Sequence, residues 1–244
     1  MMNLIIDVGN TRIKAAVFEN DTLLEVVIFK TNDLLKKVDF LINKYTIDKG
    51  IISSVKNIST NQLNQLHKKL SFLVLDASTK VPFKNLYKTP KTLGVDRIAL
   101  VANAVRKFHK KNVLIIDAGT CITYDFVSAS KEYLGGAISL GIEMRYKALH
   151  NYTSKLPLLE KNVPANFIGN TTEESIHSGV VNGVIREING VIEQYERENT
   201  FLTLVLTGGD TYFLAKQLKS SIFANPNFVL EGLNTILIYN NKEC

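Results

Sequence analysis

Apolar residues run without a break over 4–6, stop at Asp7, and return over 15–18. Two apolar runs joined by a short polar stretch with a glycine read as a hairpin whose polar groups gather at the turn. The pattern recurs over 113–127, VLIIDAGTCITYDFV, where Asp117-Ala118-Gly119-Thr120 echoes Asp7-Val8-Gly9-Asn10. A special turn repeated in both halves points to a duplicated unit.

Between the repeats the pattern predicts a strand over 23–29, then a helix capped by Asn32 or Asp33 with Leu34, Val38, Leu41, Ile42 and Tyr45 on one face. A buried strand over 51–55 follows, then a helix from Ser59 or Thr60 with Leu63, Leu66 and Leu70 inward, and a short strand over 72–75. Residues 81–93, holding Pro82 and Pro90, read as an ordered loop. Gly94-Val95-Asp96-Arg97 opens a helix whose last turn is basic, as the helix dipole favours.

The second half repeats the plan. Strands over 112–116 and 122–127 make its hairpin, and a third strand over 133–140 carries Gly135-Gly136. A helix runs from Gly141 to about His150. A long helix over 172–198 has Ile176, Val180, Val184, Ile188, Val191 and Tyr195 on one face, with Gly179 and Gly183 spaced for close helix approach. A strand over 202–206 ends in Thr207-Gly208-Gly209-Asp210, and a last helix covers about 233–239. Strands then helices, twice, predict an α/β chain of two domains, 1–110 and 111–244, with both Asp turns facing the cleft between them.

Composition narrows the function classes. The chain has 244 residues, 45% hydrophobic and 21% charged, enough for substantial cores and unlike a disordered chain. No apolar run reaches membrane-spanning length, and Asp7 interrupts the first one, which argues against a signal peptide. Cys121 and Cys244 make no disulfide framework, so a reducing cytoplasm fits best. The net charge of +6 comes mainly from scattered lysines. Without an arginine-rich arm or an aromatic–basic module, no nucleic-acid partner is expected. The four histidines show no metal-ligand spacing.

The first turn carries the chemistry. Amides of a Gly9-Asn10 turn can point the same way and form an anion-binding concavity. Thr11 adds a hydroxyl and Lys14 a point charge, while Asp7 can hold a metal ion or its waters. Phosphate, metal and lysine together suggest a nucleotide triphosphate tail. Asp96 at a helix start is either a base for an accepting hydroxyl or a carboxylate that merely favours the dipole. Arg97 pairs either with a substrate carboxylate or with a neighbouring Asp. Thr207 to Asp210 is either a close backbone approach to a nucleotide or a plain turn.

The set DVGNTRIK (7–14), GVDR (94–97), DAGT (117–120), GGAISLG (135–141) and TGGD (207–210) resembles the type III pantothenate kinases. That family belongs with actin, the heat-shock chaperone ATPases and the sugar kinases, whose two ribonuclease-H-like domains clasp ATP. GVDR, with Tyr87 seven residues before it, carries the likeness to the pantothenate enzyme in particular. The resemblance implies ATP-dependent phosphorylation of pantothenate to 4'-phosphopantothenate, the first step of coenzyme A biosynthesis. It makes Asp7, Val8, Gly9, Asn10, Thr11, Arg12, Ile13 and Lys14 the first phosphate-binding segment and Thr120 an ATP contact. Asp96 becomes the catalytic base, and Tyr87, Gly94, Val95, Asp96 and Arg97 line the pantothenate pocket. Asp7 would serve Mg²⁺, and Asp117 would hold a monovalent cation, K⁺ or NH₄⁺. Thr172, rather than Thr171, would reach the substrate of a neighbouring subunit in a homodimer. Two positions depart from the family pattern: Cys121 stands where Ala is usual and Leu140 where Pro is usual. A non-catalytic ATP-binding regulator of the same fold and a sugar kinase are the competing functions, and the three intact carboxylates favour the enzyme.

Overall fold

The computed structural model describes residues 1–55 and 59–241; Cys244, counted above among the cysteines, lies outside them. Strands β1 (Met2–Val8) and β2 (Ile13–Glu19) pair antiparallel, and β3 (Thr22–Phe29) extends the meander beyond β2. Helix α1 (Leu34–Lys44) leads to β4 (Lys49–Ser54), parallel to β1. Helix α2 (Thr60–His67), held at its start by a Ser59–Gln62 capping box, leads to β5 (Phe72–Val74), parallel to β4. The sheet order is β3-β2-β1-β4-β5.

A short strand β6 (Lys84–Asn85) interrupts the segment expected as loop, and helix α3 (Val95–Lys107) follows. Then come β7 (Asn112–Ala118), β8 (Cys121–Val127), β9 (Glu132–Leu140) and helix α4 (Ile142–Asn151). Helices α5 (Thr172–His177) and α6 (Gly183–Glu198) are joined by a π-helical segment, Ser178–Asn182. The chain ends with β10 (Leu202–Thr207), α7 (Thr211–Ala215), β11 (Phe223–Ala224) and α8 (Phe228–Asn241). The second sheet has the order β11-β10-β7-β8-β9-β6. Apart from β6, each sheet is a three-strand meander whose first strand is extended by two later parallel strands. The links β7–β8 and β8–β9 are too short for parallel crossovers, so both are hairpins.

Contacts divide the chain into two compact units. One comprises Met1–Lys110, Val127–Leu134 and Asn227–Cys244; the other comprises Lys111–Phe126 and Gly135–Pro226. In the first, Leu4, Ile6, Val8, Ile13, Ala15 and Val17 pack on Leu34, Val38 and Leu41 of α1. On α8, Gly232 permits a tight crossing with α3, since a Cβ there would lie 1.9 Å from the Ala99 carbonyl oxygen. Strands β1 and β7 share one burial pattern, four fully buried residues in succession with a half-buried aspartate after them. Strands covered on both faces read as continuous apolar runs rather than alternating ones. That is why the two hairpins stood out in the sequence.

The helical stretch from Thr172 to Glu198 has the expected extent, but it is not α-helical throughout. Its buried residues Ile176, Val180, Val184, Ile188 and Ile192 repeat at a strict interval of four. An α-helix of about 3.6 residues per turn drifts away from such a repeat. The wider π turn takes up the surplus and keeps the stripe on the core.

Candidate active site

In the first unit the polar groups Asp7, Lys14 and Ser53 collect where β1 and β4 end and β2 begins. Asp7 is opposite Lys14 across the hairpin and beside Ser53 in the parallel ladder. The Ser53 hydroxyl donates to Asp7 Oδ1 at 2.9 Å. Burial pushes the Asp7 carboxyl above the ordinary carboxylate value; the Ser53 bond and Lys14 oppose the rise, and the charge of Asp96 adds to it. Asp96 is therefore close enough to Asp7 to act on it. The turn between the strands is closed by the Gly9 amide donating to the Arg12 carbonyl at 3.2 Å, and Asn10, Thr11 and Arg12 are exposed. Val8 and Ile13 are core residues, so they can offer a ligand only backbone.

Asp96 lies in the first turn of α3, where a carboxylate favours the helix dipole. Its Oδ1 accepts from the Arg97 amide at 2.8 Å. The carboxylate folds back over Gly94, where an added Cβ would come within 2.4 Å of Oδ1. The glycine of GVDR thus leaves room for its aspartate. Arg97 is 4% exposed, and its guanidinium lies 5.6 Å from the centre of the Tyr87 ring. Asp7 and Lys14 thus face each other across the first hairpin, and Arg97 and Tyr87 meet beside the Asp96 helix start, whose charge is felt at Asp7.

In the second unit Asp117 ends its apolar run in β7, one residue before the link Gly119-Thr120. The Gly119 amide donates to the Cys121 carbonyl at 2.9 Å, and Thr120 is exposed. Two other glycines close around this turn. The Gly141 amide donates to the Thr120 carbonyl, and a Cβ at Gly141 would sit 2.3 Å from the carbonyl oxygens of Gly119 and Thr120. Gly208 has φ +96°, and a Cβ there would lie 2.4 Å from Asp117 Oδ1. TGGD is therefore more than an isolated turn: it packs its backbone on DAGT, and the Asp210 amide donates to the Ala118 carbonyl at 2.9 Å. Thr207 is in register with Asp117, fully buried, and its Oγ1 has no hydrogen-bond partner among the described residues.

A brace behind Gly141 involves residues that the sequence did not single out. Arg145 Nε donates to the Leu140 carbonyl at 3.0 Å, Arg145 Nη2 to Ser139 Oγ at 3.2 Å, and the guanidinium pairs with Glu187 of α6. Burial alone would raise the Glu187 carboxyl; Arg145 and the Tyr124 hydroxyl, bonded to it, hold it below its ordinary value. Ser53 joins Asp7, and Glu187 joins Arg145 and Tyr124, across long stretches of chain, so no local pattern announces them.

At the start of α5, Thr171 is the cap: its Oγ1 accepts from the Glu174 amide at 3.2 Å. Thr172, the next residue, is exposed, and the cap leaves its hydroxyl uncommitted.

The family model described as type III pantothenate kinase matches residues 3–194. The type III pantothenate kinase of Christiangramia forsetii is 51% identical over 243 residues, covering 99% of this chain and all of that relative. That of Flavobacterium johnsoniae is 47% identical over 239 residues, covering 98% of each. A solved structure from Campylobacter jejuni, named as a candidate Baf-family transcriptional activator, superposes with a TM-score of 0.64 at 22% identity, covering 98% of this chain and 99% of that one. A candidate N-acetylmannosamine kinase of Listeria monocytogenes gives a TM-score of 0.58 at 13% identity, covering 99% of this chain and 100% of that one. At those identities the structural likeness is one of fold alone, the α/β architecture of the sugar kinases and actin-like ATPases. The sequence likeness extends over essentially the whole length and takes in both Asp turns and the GVDR helix start, so the chain belongs to the type III pantothenate kinases.

Proposed function

We infer that this kinase uses Asp96 as the base in transferring the γ-phosphoryl group of ATP to the hydroxyl of pantothenate. The products are ADP and 4'-phosphopantothenate, the first intermediate of coenzyme A biosynthesis. The observation that carries the assignment is the placement of Asp96 at the start of α3, next to the Arg97–Tyr87 pair, with its charge acting on Asp7. Phosphoryl transfer asks mainly for positioning and charge neutralisation, plus a carboxylate to accept the hydroxyl proton. Tyr87, Gly94, Val95 and Arg97 line the pantothenate pocket in this assignment, with the Arg97 guanidinium set to take the pantothenate carboxylate. The turn from Asp7 to Lys14 and the exposed Thr120 serve the phosphates of ATP.

The residues present fit the expected ions. Asp7 offers a carboxylate near the end of β1, the oxygen donor that a hard cation takes. Mg²⁺ takes one or two carboxylates with substrate phosphates rather than an all-protein cage, and when bound it neutralises phosphate charge. Asp117 would hold K⁺ or NH₄⁺, and the buried, unpartnered hydroxyl of Thr207 in register with it offers a further oxygen.

The active form is a homodimer in which Thr172 reaches the substrate of the neighbouring subunit. A groove of about 400 Å³ lined by Phe167, Gly179, Gly183 and Arg186 lies along the π segment. A Cβ added at Gly179 or Gly183 would meet nothing within 4 Å, so these glycines are not used for packing within the chain. Phe167 and Ile168 are exposed beside them. No helix among the described residues is long and apolar enough to cross a membrane; we place the enzyme in the cytoplasm, with its ATP.

A coupled assay of ADP formation tests the function. ADP formation with pantothenate, and none with glucose, N-acetylglucosamine or no acceptor, is the expected result. Turnover on a sugar alone would transfer the chain to the sugar kinases.

A further inference from the structure

In the first unit Tyr133, at the start of β9, is completely buried. Its ring lies nearly parallel to that of Tyr87, with centroids 6.1 Å apart and planes 20° apart. The far side of the chain of contacts is Arg97, whose guanidinium stands 5.6 Å from the Tyr87 ring centre. Tyr133 is itself fixed from another direction by Phe83, edge-on at 6.2 Å. The backbone adds to this. Strand β6 pairs Asn85 with Tyr133, the Leu86 amide donates to the Tyr133 carbonyl at 3.0 Å, and the Asn85 side chain accepts from the Tyr87 amide at 3.0 Å.

We propose that Tyr133 is a positioning residue for pantothenate specificity: it sets the plane of the Tyr87 ring, and through that ring the orientation of the Arg97 guanidinium. The inference rests on the placement of Tyr87 and Arg97 in the pantothenate pocket proposed above. The physical reason is rigidity. An arginine side chain has many rotamers, and a guanidinium that must meet a carboxylate in one plane gains from a fixed aromatic face beneath it. Tyr87 is half-exposed and cannot supply that face unless something holds its own ring. A second aromatic ring, held by the core, does so at little entropic loss. The ring of Tyr133, rather than its hydroxyl, carries the role.

The test compares Tyr133→Leu and Tyr133→Phe with Tyr87→Leu. Tyr133→Leu should raise the KM for pantothenate about tenfold, the order an aromatic pair is worth, and leave the KM for ATP within about twofold. Tyr133→Phe should restore the wild-type KM. In the double variant the loss should be no greater than in Tyr87→Leu alone, because the two residues act through one ring. Should Tyr133→Leu fail to fold, Tyr133→Met carries the same comparison, and pantothenate-induced thermal shifts replace the kinetics. An unchanged pantothenate KM in folded Tyr133→Leu, or equal rises in both KM values, overturns the proposal while leaving the pocket intact. An unchanged KM in Tyr87→Leu itself overturns the pocket, and this inference with it.

Discussion

The negative charge of Asp96 pushes the carboxyl of Asp7 upward, on top of the larger effect of burial, although the two residues lie on different elements of the first unit. The proposed roles, a base at Asp96 and a cation carboxylate at Asp7, call for such a pair of charges. Asp96→Asn keeps the shape and the acceptor for the Arg97 amide, and loses the ability to take a proton. It should lower kcat by roughly 10²–10⁴ with little change in melting temperature. Removing the like charge should also lower the Asp7 carboxyl, which a carboxyl-resolved NMR titration reads directly. Wild-type turnover in this variant would take Asp96 out of the base role.

The rise of the Asp7 carboxyl has a stability consequence of defined sign. An unfolded aspartate titrates at about 3.9, and in the folded state Asp7 titrates higher. Between the two values the native state binds more protons than the unfolded state, so stability falls as pH rises through that window. Above both values the penalty is fully present. Asp7→Asn should therefore melt at a higher temperature than wild type at pH 7.5 while losing activity. The difference should shrink as the pH is lowered through the window and the wild-type carboxyl takes up its proton. Identical melting curves at pH 7.5 would show that the Asp7 charge is fully compensated without a ligand.

Both Asp turns, the helix start at Gly94 and the span of the long helix were legible because each is local. A continuous apolar run, an aspartate and a glycine turn are all that a doubly covered strand ending at a polar site requires. The π segment was hidden because a stripe repeating every four residues looks helical whichever turn absorbs the drift. Ser53, Tyr133 and the Arg145–Glu187 pair were invisible for another reason. Ser53 and Tyr133 act on motif residues distant in the chain, and Arg145 meets its partner Glu187 only through the packing of α4 against α6. Gly208 shows the boundary well: the sequence offered a turn, and its proximity to Asp117 emerges only once β10 lies beside β7.

That proximity makes Gly208→Ala a sharp perturbation. A methyl group there would meet the Ala118 carbonyl oxygen at 2.3 Å and Asp117 Oδ1 at 2.4 Å, on a backbone with φ +96°. Both the contact and the left-handed backbone oppose an alanine. The variant should lose stability, measured by chemical denaturation, and most of its activity. A fully active, fully stable Gly208→Ala would mean that the turn relaxes freely away from Asp117.

The ions give a separate test. Activity should require Mg²⁺ and rise with K⁺ or NH₄⁺ over Na⁺. Asp117→Ala should abolish the monovalent response along with most activity, and Thr207→Val should weaken the thermal stabilisation that K⁺ gives. Equal activity in sodium and potassium buffers would remove the cation from Asp117.

The dimer is tested by complementation. Thr171 is committed to capping α5, whereas Thr172 is exposed and available to another subunit. If Thr172 completes the Asp96 site of the partner, Asp96→Asn and a bulky Thr172→Trp should each be nearly inactive alone. When the two proteins exchange subunits, each mixed dimer carries both lesions in one site and neither in the other. Random exchange makes about half of all dimers mixed, and each has one intact site of two, so activity should recover toward roughly a quarter of wild type. Exchange is verified with subunits carrying different tags. Verified exchange without recovery would mean that each chain builds its pocket alone, leaving the exposed glycine groove beside the π segment to some other contact.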